Sequence, residues 1–105
     1  MRIIYNNIIP VKGFSAINLF GVLFVRKWVV VSERMLNHER IHSAQMRELL
    51  YVFFYVFYVL EWIVKLFKYR LKSYYNISFE REAYQNEKNP DYLSRRNFFA
   101  WFKFI

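Results

Sequence analysis

His38, Glu39 and His42 are the residues of this sequence whose types and spacing could do chemistry together. They read H-E-x-x-H within Asn37-His38-Glu39-Arg40-Ile41-His42. On a helix, residues four apart lie on one face about one turn from each other, so two imidazoles can take adjacent corners of one zinc ion. The glutamate between them projects beside the pair, where it can accept a proton from water acidified by the metal. Glu39 is therefore the candidate general base. The plainer reading is two surface or capping histidines on an amphipathic helix.

A catalytic zinc normally has three protein ligands and an open position. The chain has 2 histidines and no cysteine, so the third ligand must be a carboxylate. Glu33 and Glu48 share the motif's helix and cannot easily fold back to the metal, and Glu61 sits in an apolar stretch. Of the remaining candidates, Glu80, Glu82, Glu87 and Asp91, the helix expected to start near Ser78 carries Glu80 and Glu82 in its first turn, and elimination alone does not choose between them. Both would also suit the positive end of a helix as ordinary charges.

The segment Phe79-Glu80-Arg81-Glu82-Ala83-Tyr84 resembles the second signature of the gluzincin metallopeptidases, E-x-x-A-D, with Glu80 and Ala83 in the glutamate and alanine positions. Many small gluzincins also read H-E-x-x-H-x-x-Q, which takes in Gln45. The resemblance covers roughly residues 19–48 and 77–88, and the first motif is far more specific than the second. It implies a minimal zincin-like helical core and a zinc held by His38, His42 and Glu80, with Glu82 as the alternative ligand. It also implies a peptide or protein substrate laid along the upstream strand and cleaved with Glu39 as base. Gln45 lies seven residues after His38 on the same face, suiting support of a ligand. Tyr84 stands beside the ligands at the position where many relatives carry Asp, so no supporting carboxylate is supplied there. Tyr74, Tyr75, Tyr84 and Arg81 are further candidates to polarise a scissile carbonyl.

The elements that must position these residues follow from pattern and punctuation. Ile3, Ile4, Ile8 and Ile9 suit a short strand ended by Pro10. Leu19–Val25 and Trp28–Val31, separated by Arg26 and Lys27, read as a β-hairpin. Ser32 can cap a helix whose first turn holds Glu33. A straight helix from Ser32 to Arg70 would measure about 58 Å, against roughly 33 Å for a compact domain of this length. A straight run to Phe67 would also leave the linker to Glu80 barely long enough to bring a carboxylate back. A reversal near residues 48–52 is therefore expected, although no Gly or Pro marks it. Ser78 is a plausible cap for a helix over Phe79–Lys88, and Asn89-Pro90 can precede a short last helix. The fold class expected is mainly α with a small N-terminal β-hairpin, in a single domain over 1–105.

Composition bounds the rest. The 105 residues are 56% apolar and 23% aromatic, with 2 Gly and 2 Pro, which excludes a disordered chain. Leu49–Leu60, LLYVFFYVFYVL, is apolar throughout and continues to Phe67 around Glu61 and Lys65, which can pair one helical turn apart. A core helix, a re-entrant hairpin and a membrane span all remain open for it. The net charge of +8, with Lys65, Lys68, Arg70, Lys72, Arg95, Arg96 and Lys103 beside aromatic segments, favours contact with a membrane over nucleic acid. Lys and Arg form no single stripe interleaved with exposed aromatics, as a nucleic-acid binder would need. The N-terminus lacks the order of a secretory signal peptide, so a cytoplasmic or membrane-associated location is expected. The terminal Phe98, Phe99, Trp101, Phe102 and Phe104 must pack on the core or lie on a membrane. A protein that keeps a structural metal and contacts a membrane or a partner, without catalysis, is the alternative to a peptidase.

Overall fold

A computed structural model describes residues 2–10 and 14–105. Three strands, β1 (Arg2–Asn6), β2 (Ala16–Leu19) and β3 (Val22–Arg26), precede four helices, α1 (Glu33–Glu48), α2 (Val52–Tyr69), α3 (Ser78–Asn86) and α4 (Tyr92–Arg95). Short 3-10 turns at Arg70–Lys72, Tyr74–Asn76 and Ala100–Phe104 complete the chain. The fold is mainly helical with a small N-terminal sheet.

The sheet order is β1-β3-β2, with β3 parallel to β1 and antiparallel to β2. The hairpin turn lies at Phe20-Gly21 and not at Arg26-Lys27. Both central residues have positive φ, 53° at Phe20 and 88° at Gly21, as a tight two-residue hairpin requires, and glycine adopts this without strain. Trp28–Val31 form no strand. β1 also stops before Ile8 and Ile9, because the Asn6 side chain accepts from both of their amides and turns the chain.

Ser32 caps α1 as expected, accepting from the Met35 amide at 3.1 Å. The reversal after α1 is present: α1 and α2 are bent by 108°. Leu50 and Tyr51 make it with φ of 54° and 63°, left-handed conformations that usually select glycine. Packing accounts for the turn, because it brings Phe54 onto Met46, Ile77 and Phe79 to form the buried cluster between helices. The Tyr55 hydroxyl ties α2 to the hairpin, donating to the Asn18 carbonyl and accepting from the Phe20 amide.

Helix α3 is held at both ends by its neighbours. Ser78 is its first residue and not its cap; Glu61 on α2 supplies the cap, accepting from the Ser78 amide and hydroxyl at 2.6 Å each. Glu61 also pairs with Lys65 at 2.9 Å, and Lys65 donates to the Asn76 carbonyl. At the other end the Asn37 amide on α1 donates to the carbonyls of Asn86, Glu87 and Asn89. These contacts fix the height of α3 against α1, which sets where Glu80 meets the histidines. The C-terminal aromatics divide: Trp101 packs on Phe79 with ring centroids 4.8 Å apart, while Phe98 and Phe102 stay exposed.

Candidate metal centre

His38 and His42 lie on the buried face of α1, and Glu80 reaches them from the first turn of α3. Glu80 Oε1 is 3.3 Å from His38 Nε2 and 3.1 Å from His42 Nε2, and the two nitrogens are 3.1 Å apart. All three residues are buried. Three atoms able to present lone pairs thus converge on one point, an arrangement that a proton or a metal ion at its centre satisfies. This group could hold a metal ion. In the metal-free chain a proton on His42 meets the same need. Burial alone would lower the His42 pKa, but the adjacent Glu80 carboxylate more than reverses this and raises it to about 9. The imidazolium, opposing the cost of burial, holds Glu80 well below the usual carboxylate range.

The surrounding groups orient each member. His42 Nδ1 lies 2.8 Å from Gln45 Oε1. The Gln45 amide nitrogen is committed elsewhere, donating to the Phe79 carbonyl at 3.0 Å and to Glu82 Oε1 at 2.9 Å. Only its oxygen remains for His42, so Nδ1 carries a proton and, in the neutral ring, Nε2 presents its lone pair to Glu80 and His38. The free oxygen of Glu80 accepts from the Tyr58 hydroxyl at 2.7 Å. Burial and the Glu80 charge push the Tyr58 pKa upward, so it stays a neutral donor. The Tyr84 ring meets the His38 ring edge-on at 4.5 Å between centroids, and Glu87 faces His38 Nδ1 at 3.8 Å, too far for a direct hydrogen bond.

A cleft of about 650 Å³ opens on this group, with Glu39, His42, Tyr58, Tyr74 and Glu80 on its polar side. The rest of its lining is largely apolar and includes Ile9, Phe14, Met46 and Phe54. The Glu39 carboxylate is half-buried there and makes no hydrogen bond or ion pair among the described residues. Edge strand β2 lines the cleft through Ala16, Ile17 and Asn18. Because Leu19 faces Val22 across the tight turn, the antiparallel ladder turns the backbone groups of Ala16 and Asn18 away from β3, as the Tyr55 bond to the Asn18 carbonyl also reflects.

Glu82 lies outside the group. Its oxygens are taken by Gln45, by the Tyr92 hydroxyl at 2.6 Å and by the Arg96 guanidinium at 2.5 and 3.0 Å. Arg96 in turn grips Glu48 through two bonds of 3.0 and 2.9 Å. A buried chain thus runs His42, Gln45, Glu82, Arg96, Glu48. Among the other candidates, Tyr74 lines the cleft, whereas Arg81 is spent on the Phe104 carbonyl, Tyr69 and Asn76, and Tyr75 is exposed. Sequence reasoning missed Tyr58, Asn37 and the capping role of Glu61. A tyrosine inside an apolar run, turned to the same face as Glu61 three residues later, is the signal that was available for Tyr58.

No protein-family model, curated protein or solved structure matches this chain.

Proposed function

We propose that this chain is a minimal zinc-dependent peptidase of the gluzincin kind, with His38, His42 and Glu80 as ligands and Glu39 as general base. The observation that carries the reading is the convergence of Glu80 Oε1 on both Nε2 atoms, at 3.1 and 3.3 Å. Tetrahedral zinc with nitrogen and oxygen ligands at ~2.0–2.1 Å separates those ligands by ~3.3–3.4 Å, close to the spacing here. The donor set of two neutral imidazoles and one carboxylate suits zinc chemically.

When bound, zinc supplies Lewis acidity, acidifying water and polarising a carbonyl. Glu39 stands at the cleft with its carboxylate unpaired among the described residues, ready to take a proton and return it to a leaving amine. The outward backbone groups of Ala16 and the Asn18 amide can align an extended peptide by adding it as a strand beside β2, the Asn18 carbonyl being held by Tyr55. The apolar walls exclude water around that peptide and favour apolar side chains on it. Tyr58 keeps Glu80 in place, and Gln45 keeps His42 in the ligating tautomer.

The test is hydrolysis of a denatured protein substrate by the zinc-loaded chain and by Glu39→Gln. Cleavage by wild type, with a loss of roughly 10²-fold or more in the variant at unchanged metal content, is expected. Equal activity in the two would remove Glu39 from the chemistry. No cleavage by a wild type that holds zinc would leave the metal a structural role.

A further inference from the structure

Helix α2 is built with its polar side inward and its apolar side outward. Every exposed side chain from Val52 to Phe67 is apolar, and most lie on one half of the helix circumference at 100° per residue. The polar groups point the other way and are satisfied within the protein. Tyr55 bonds the hairpin, Tyr58 bonds Glu80, Glu61 and Lys65 hold α3, and the Trp62 ring nitrogen donates to Ser73 at 3.0 Å. The outer face runs ~22 Å without one polar side chain. No single helix among the described residues is long and apolar enough to cross a membrane.

We propose that this face docks on a lipid bilayer surface carrying anionic headgroups, with α2 lying at the boundary between headgroups and acyl chains. Three observations select lipid as the occupant. The face is continuous and carries no hydrogen-bonding group to specify a protein partner, and hydrocarbon is the one neighbour that asks for none. Cations sit at its ends: Arg47 is exposed before the turn into α2, and Lys68, Arg70 and Lys72 are exposed after Phe67. Leu71 between them is 99% exposed, an apolar side chain placed among basic ones at the end of the face. A second copy would bring another +8 against this one, whereas an anionic surface complements the charge. The docking does not depend on the metal or on peptidase activity.

Flotation of the full chain with preformed vesicles tests this, using phosphatidylcholine alone and with about 30% phosphatidylglycerol. Wild type is expected to float with the anionic vesicles. Phe53→Glu with Leu60→Glu, both on the outer face, is expected to reduce the bound fraction at least about tenfold while the circular dichroism spectrum and unfolding midpoint stay unchanged. Lys68→Gln with Lys72→Gln is expected to weaken binding to anionic vesicles about tenfold or more. Wild type remaining unbound to either vesicle, or Phe53→Glu/Leu60→Glu floating like wild type, would overturn the proposal. A dimer that the same double variant dissociates, without vesicle binding, would also overturn it and assign the face to a second copy.

Discussion

The Gln45 side-chain amide donates to Glu82 Oε1 at 2.9 Å and to the Phe79 carbonyl at 3.0 Å. Only its oxygen is left for His42 Nδ1, which places the proton of the neutral ring on Nδ1 and the lone pair on the Nε2 that faces Glu80. Without these two acceptors the amide could rotate and the ring would lose its fixed tautomer. Gln45→Leu is therefore expected to lower zinc affinity about 10–100-fold, measured by competition with a chelator. Gln45→Glu, which keeps an acceptor for His42 Nδ1 but sets a second carboxylate against Glu82, should destabilise the fold. Unchanged affinity in Gln45→Leu would mean that His42 is oriented by something else.

Among the described residues Arg96 is the only cation touching the buried Glu82, and it also grips Glu48. Arg96→Ala leaves both carboxylates uncompensated and should cost on the order of 3–5 kcal/mol in urea unfolding. A cost under ~1 kcal/mol would show that water reaches the pair.

The metal-free chain should lose stability on the alkaline side. The His42 pKa is raised from 6.5 to about 9 in the folded state, so its contribution is complete below about pH 6.5 and is lost as pH rises through about 9. The size is on the order of 3 kcal/mol for a fully buried ion pair. Glu80, with its pKa depressed, gives the acid limb of the same pair: stability present above about pH 4.5 and lost as pH falls through its folded value. Zinc bound by the proposed ligands would take the place of the His42 proton, so the alkaline loss should vanish when zinc is added. Denaturation midpoints from pH 6 to 10, with and without zinc, check this, and identical profiles would contradict it.

Leu50 is mostly exposed and held at φ 54°, so its side chain gains little from burial while its backbone is strained. Leu50→Gly should stabilise the chain by about 0.5–1 kcal/mol in thermal or urea unfolding. A loss of more than ~1 kcal/mol would mean that the Leu50 side chain carries packing that its exposure does not suggest.

Local chemistry was the legible part of this sequence. The histidine pair, the Ser32 cap, the Glu61–Lys65 pair and the need for a reversal near 48–52 follow from spacing and chain length. The hairpin turn was misplaced because Trp28–Val31 has strand composition but no partner strand, whereas Phe20-Gly21 supplies the backbone geometry. The reversal is made by Leu50 and Tyr51, which carry no turn signature, so only tertiary packing of Phe54 explains it. Glu80 and Glu82 could not be separated by elimination. What separates them is Arg96, fourteen residues on, which claims Glu82, and Tyr58 on another helix, which holds Glu80.

Metal analysis of the purified chain beside Glu80→Gln tests the central claim most directly. Wild type should carry about one zinc ion per chain after dialysis, and the variant should lose nearly all of it while remaining folded. A wild type without stoichiometric metal after zinc loading, or a Glu80→Gln variant that keeps it, would contradict the assignment of His38, His42 and Glu80 as a zinc site.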